Sequence, residues 1–208
     1  MTNPSQARSV KISDDERTGW SSERPRKGGS ERPADISTRC RVLKPSYAMR
    51  YSPGSLLVVV SASKAERDRF TDRLIENKNS LFSLDKVRGL LEGRVGADEI
   101  ESKAAELLQA AVLKRLAAGD TTVVALDGLS AEEREPFVRA AAAARRPRHI
   151  VLIEGGADED NKAALNDLRK RLDAGELGEE GFQTAMRLGG EALRELKKIA
   201  FQPAPRDD

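Results

Sequence analysis

Several residue types are nearly absent from these 208 residues, beginning with one cysteine, one histidine and one tryptophan. A lone Cys40 excludes an intrachain disulfide framework and fits a reducing compartment. One histidine and one cysteine leave no zinc ligand set, so no metal site is expected. Aromatic residues make up only 4% of the chain. No apolar run approaches the roughly 20 residues that span a bilayer, and the N-terminus carries no apolar signal segment. The expectation is a soluble cytoplasmic protein with no membrane partner. Glycine, common elsewhere, is missing between Gly54 and Gly89.

The formal charge of +2 hides an asymmetry. Residues 1–50 carry 11 Lys/Arg against 6 Asp/Glu, and the remainder 25 against 28. The basic character therefore belongs to the first segment, and bulk charge does not indicate a nucleic-acid groove on the rest. Residues 1–36 are rich in Ser, Arg, Glu, Pro and Gly without a sustained period, the composition of a disordered tail. Trp20 is an incidental tail aromatic or an anchor for a partner. Pro45, Pro53 and Gly54 punctuate a transitional stretch, so residues 1–50 are assigned to tail and linker, 51–203 to one folded domain and 204–208 to a disordered end.

The Val-rich run Leu56-Leu57-Val58-Val59-Val60 predicts a strand buried on both faces. It stops at Ser61-Ala62-Ser63, and Phe70 and Leu74 follow at helical spacing. A strand, tight turn and helix is where α/β proteins hold phosphate on unpaired backbone N–H groups. That device needs glycine to bring the backbone close to the oxygens. Here Ser63 and Glu66 instead form a capping box, Ser-x-x-Glu, that takes up the free N–H groups. Further strands are predicted over 79–83, 121–126 and 149–153, and helices over 98–118, 131–145, 158–173 and 179–200. A second Ser-x-x-Glu, Ser130 and Glu133, caps the helix after residue 130, and Pro136 should bend that helix or reset its start. His149 and Arg134 read as surface residues. The alternation predicts a three-layer α/β domain with a mainly parallel sheet. Ligands in such sheets bind beyond the carboxyl ends of the strands, which gathers 61–66, 83–88, 125–129 and 154–156 at one edge.

Over residues 53–201 this order of segments resembles the P-loop kinases of the polynucleotide 5′-hydroxyl kinase type. That family's first strand runs into Gly-x-x-Gly-x-Gly-Lys-Ser-Thr-Phe, and Phe70 with Leu74 aligns without a gap. Ser61, Lys64 and Glu66 then stand where the glycines belong, with Ser63 inside the same degenerate loop. Arg67 replaces the phosphate-binding lysine, Asp68 the Mg²⁺-binding serine and Arg69 the threonine. The family motif Ser-x-Asp-x-x-Arg is intact as Ser83-Leu84-Asp85-Lys86-Val87-Arg88. The resemblance implies Asp85 as general base, with Ser83, Arg88 and Arg134 on the acceptor side and Arg169, Lys170 and Arg171 as the lid. Where the family carries a carboxylate at the end of the strand over 121–126, this chain has Ala125, with Asp127 two places late.

Phosphoryl transfer depends on neutralising phosphate charge by loop amides, Lys and Mg²⁺, and the ATP side of this site is lost while the acceptor side is kept. The resemblance therefore implies a pseudoenzyme without cofactor that binds a nucleic-acid end or a protein partner. Two alternatives stand beside it: a divergent kinase that uses ATP and Mg²⁺, and a structural or assembly protein that retains only the fold.

Overall fold

The computed structural model describes residues 34–156 and 159–203; the tail expectations for residues 1–33 and 204–208 lie outside these. Contacts divide the chain into units Met1–Ala34 and Asp35–Asp208, and only the second is described below.

Its centre is a six-stranded, all-parallel sheet with helices on both faces, the three-layer α/β class of P-loop-like domains. The strands are β1 (Arg41–Leu43), β3 (Leu56–Ser61), β4 (Leu81–Ser83), β5 (Thr122–Ala125), β6 (Arg148–Ile153) and β7 (Thr184–Leu188), in the spatial order β1-β7-β6-β3-β5-β4. A separate parallel pair joins β2 (Ala48–Tyr51) to β8 (Lys198–Phe201). The helices are α1 (Lys64–Leu74), α2 (Leu84–Leu91), α3 (Ile100–Ala118), α4 (Ala131–Ala143), α5 (Glu159–Asp173) and α6 (Gly190–Glu195).

All six residues of β3 are buried, as its unbroken apolar run requires of a strand covered on both faces. Side chains alternate across a strand, so Leu56, Val58 and Val60 pack with α3, α4 and α5 through Leu108, Val112, Phe137 and Leu168. Leu57 and Val59 pack on the other face with Phe70 and Leu74 of α1 and with Met49 and Ile199 of the β2–β8 pair. Gly119 closes α3 at φ 85°, and its N–H donates to the carbonyls of Arg115 and Leu116. Among the described residues, no helix is long and apolar enough to cross a membrane.

Three expectations are corrected. Residues 41–51 contribute β1 and β2, so the folded unit begins ahead of residue 51. The helix expected over 179–200 is instead β7, a six-residue α6 and β8. Its Ala, Met, Leu and Arg favour helix intrinsically, but Ala185, Met186 and Leu188 gain full burial by pairing with β6, and packing overrides propensity. Of the two outcomes expected at Pro136, the reset start does not occur: α4 runs from Ala131 through it.

Candidate functional site

The loops after β3, β4, β5 and β6 converge at the carboxyl edge, where the phosphate site of this architecture lies. At the start of α1 the Ser63 hydroxyl accepts the Glu66 N–H at 3.4 Å. The Ser63 N–H donates to Ser61 Oγ at 3.1 Å, so the reciprocal half of the expected capping box is made by a serine and not by Glu66. The Glu66 side chain turns instead toward the loop after β6, and its Oε2 is buried without a hydrogen-bond partner. A Cβ on Gly155 (φ 146°) would collide with that carboxylate, and one on Gly156 would lie 2.7 Å from Ser63 Cβ. Between β3 and β6 the turn after β3 thus packs directly onto the neighbouring loop.

On the β5 side the space is taken by Arg67, whose side chain is 1% exposed. Its Nε and Nη2 donate to Asp68 Oδ1 at 3.0 and 2.8 Å. Its Nη1 donates to the Leu126 carbonyl at 2.7 Å and to Asp127 Oδ1. Asp85 Oδ2 lies 3.6 Å from Nη2. Asp127, two residues beyond Ala125, is therefore the carboxylate that meets the cation. Burial is the largest influence on Arg67 and opposes its charge, but the hydrogen bonds to Asp127 and Asp68 outweigh it and raise the pKa.

The Ser-x-Asp-x-x-Arg motif lies at the start of α2. Ser83 is its N-cap, accepting the Lys86 N–H at 3.4 Å. Asp85 Oδ1 accepts from Lys64 Nζ at 2.8 Å and from Arg88 Nη1 at 3.0 Å. Arg88 also donates to Asp127 Oδ2 at 3.1 Å, and its Nε and Nη2 grip both oxygens of Glu101 at 2.8 Å each. Burial weighs most on Asp85 and favours its neutral form, yet the hydrogen bonds from Lys64 and Arg88 prevail and hold it below the ordinary carboxylate range. A carboxylate so held is a poorer proton acceptor than a free one. The Glu101 contact is the main reason that the Arg88 pKa is raised.

Three cations (Lys64, Arg67, Arg88) thus meet four carboxylates (Asp68, Asp85, Glu101, Asp127), a net charge of −1. Such a cluster ties the loops after β3, β4 and β5 together and repels an incoming phosphate. The residues do not fit a triphosphate: there is no glycine cradle, the best-placed cation has four of its five N–H groups engaged, and Glu66 occupies the helix start. No group of three or more His, Cys, Asp or Glu among the described residues is arranged to hold a metal.

The other expected site residues lie elsewhere in the network. Arg134, read as a surface or acceptor-side residue, is buried at 1% exposure. Its Nε and Nη2 each donate to Glu180 at 2.8 Å, and its Nη1 donates to the Leu129 carbonyl at 2.6 Å. Arg171 shares the same Glu180 carboxylate at 2.8 Å. Only Arg169 of the lid set reaches the carboxyl edge, pairing with Glu154 at 2.5 Å beside Gly155. His149 is buried beneath Tyr51, their ring centroids 4.5 Å apart, with Nδ1 2.8 Å from Thr184 Oγ1. Sequence reading missed Glu101 and Glu180 altogether; both lie in other elements from the arginines they hold, and no local spacing announces them.

No protein-family model matches this chain, and no curated protein matches it at a significant level.

Proposed function

We propose that the chain is a P-loop-kinase-like domain that has given up phosphoryl transfer and works by binding a protein partner. The observation that carries this reading is the buried Arg67, which fills the phosphate side of the edge and spends its donors on Asp68, Asp127 and the Leu126 carbonyl. A nucleic-acid end is the less favoured partner for the same reason. Arg88 is committed to Glu101, and Arg134 to Glu180, so the two cations that would hold an end phosphate are already engaged. Freeing either one costs a strong charge-assisted hydrogen bond.

Titration calorimetry of the full chain with ATP and Mg²⁺, and separately with 5′-hydroxyl and 5′-phosphate oligonucleotides, tests both parts. No heat is expected in either titration. Micromolar ATP affinity would restore the kinase reading, and micromolar, salt-sensitive oligonucleotide affinity would replace the protein partner with a nucleic acid.

A further inference from the structure

α3 carries more apolar surface than its own packing uses. Ala104, Leu108, Val112 and Leu116 face the core and are buried. On the opposite side Leu107 and Leu113 are exposed at 50% and 42%, two of the five large apolar side chains exposed among the described residues. They share one stripe, at steps of three and four residues, with the exposed Glu106, Ala110, Lys114 and Ala117. Neither Glu106 nor Lys114 has an ion-pair partner among the described residues. Solvated helix faces place opposite charges where they can pair along the helix; this stripe sets two leucines between two unpaired opposite charges.

Four positions of the stripe are placed symmetrically about Ala110, the leucines alike and the charges opposite. Leu107 and Leu113 stand three residues to either side, and Glu106 and Lys114 stand four. If two copies of α3 lie antiparallel across a two-fold axis at Ala110, Leu107 of each meets Leu113 of the other, and Glu106 of each meets Lys114. The small side chain at the crossing lets the helix axes approach toward about 8 Å. Beside Leu113, an open, shallow depression between α3 and α4 is lined by the small side chains of Ala117, Ala140 and Ala144, against which a leucine from the second copy could lie.

We propose that this α3 stripe is the interface of a homodimer with two-fold symmetry. A two-fold interface must be complementary to itself. Here the charges and the apolar groups both satisfy that condition about one point. A foreign acidic or basic partner would match only one of the two charges and face repulsion from the other. This inference concerns a different surface from the carboxyl edge and does not depend on the loss of phosphoryl transfer.

Sedimentation equilibrium of the full chain, from low micromolar to submillimolar concentration, tests it. A monomer–dimer equilibrium is expected, with Leu113→Asp remaining monomeric while its far-UV circular dichroism, and its melting temperature at concentrations where the wild type is also monomeric, stay unchanged. Glu106→Lys and Lys114→Glu should each weaken the dimer roughly ten-fold or more, since each replaces two attractive pairs with two repulsive ones. The double exchange Glu106→Lys/Lys114→Glu should recover wild-type association. In a Cys40→Ser background, Ala110→Cys should cross-link to itself on oxidation. A wild-type chain that stays monomeric throughout, a dimer indifferent to these substitutions, or a double exchange as weak as the single ones would each overturn the proposal.

Discussion

Arg67→Met is the sharpest perturbation, because a guanidinium that closes a structure and one that waits for a phosphate respond to it oppositely. Methionine keeps most of the apolar stem but deletes four hydrogen bonds, to Asp68 (two), Asp127 and the Leu126 carbonyl. The cluster charge moves from −1 to −2, with Asp68, Asp85 and Asp127 left facing only Lys64 and Arg88. Removing one partner of a buried ion pair costs about 3–5 kcal/mol. The three carboxylates retain 30–44% exposure and can rehydrate, which places the expected loss near the low end, about 3 kcal/mol. For a chain of this size that corresponds to a melting temperature lower by roughly 6–12 °C. Urea unfolding followed by circular dichroism measures it. Adding Asp127→Asn should cost less in the Arg67→Met background than alone, with a coupling of about 1–2 kcal/mol. A loss under about 1 kcal/mol, together with an ATP affinity present in the wild type and absent in Arg67→Met, would refute the reasoning.

Three further outcomes follow from other groups of the fold. Burial lowers the His149 pKa to about 4, so the unfolded chain takes up a proton that the native state resists. Stability should therefore fall by up to about 3 kcal/mol as the pH drops from about 6.5 to 4, and His149→Gln should flatten urea midpoints over that window. Arg134→Met should destabilise by about 3 kcal/mol, most of it recovered with Glu180→Gln; an Arg134 reserved for substrate would leave the unfolding midpoint in place. Gly155→Ala should cost about 2 kcal/mol or more, through both its φ of 146° and the collision with Glu66. Glu66→Ala in the same chain should relieve the collision but not the backbone strain, giving a partial rescue in thermal melts.

The layers of the fold were legible because β3, β5 and β6 are Val/Ile-rich runs whose burial leaves no other placement. What escaped was set by distant partners. β7 is composed largely of good helix formers and becomes a strand because β6 presents an open edge to it, as β2 does to β8. His149 sits among arginines in sequence, which reads as surface, yet Tyr51 from another element covers it. Arg134 reads as a solvated helix residue until Glu180, 46 positions away, arrives beside it. A charged side chain is buried only when a counter-charge comes with it, and a single sequence gives the spacing of charges along the chain but not across the fold.

The same limit bears on the sequence Ser-x-Asp-x-x-Arg at residues 83–88. Ser-x-Asp-x-x-Arg places a hydroxyl before a helix, a carboxylate in its first turn and a guanidinium three residues on. Phosphoryl transfer would use that spacing to aim a base and an anion ligand at an acceptor. Helix construction uses it as well: Ser83 caps α2, Asp85 receives Lys64, and Arg88 bridges Asp85, Asp127 and Glu101. The two uses compete for the same lone pairs and N–H groups, so each hydrogen bond made inside the cluster is one withheld from a substrate. An ATP site would need its cations unspent and its cradle open. Here Arg67 is spent and the turn after β3 is packed against Gly155, which makes the intact motif an account of how the edge is held shut.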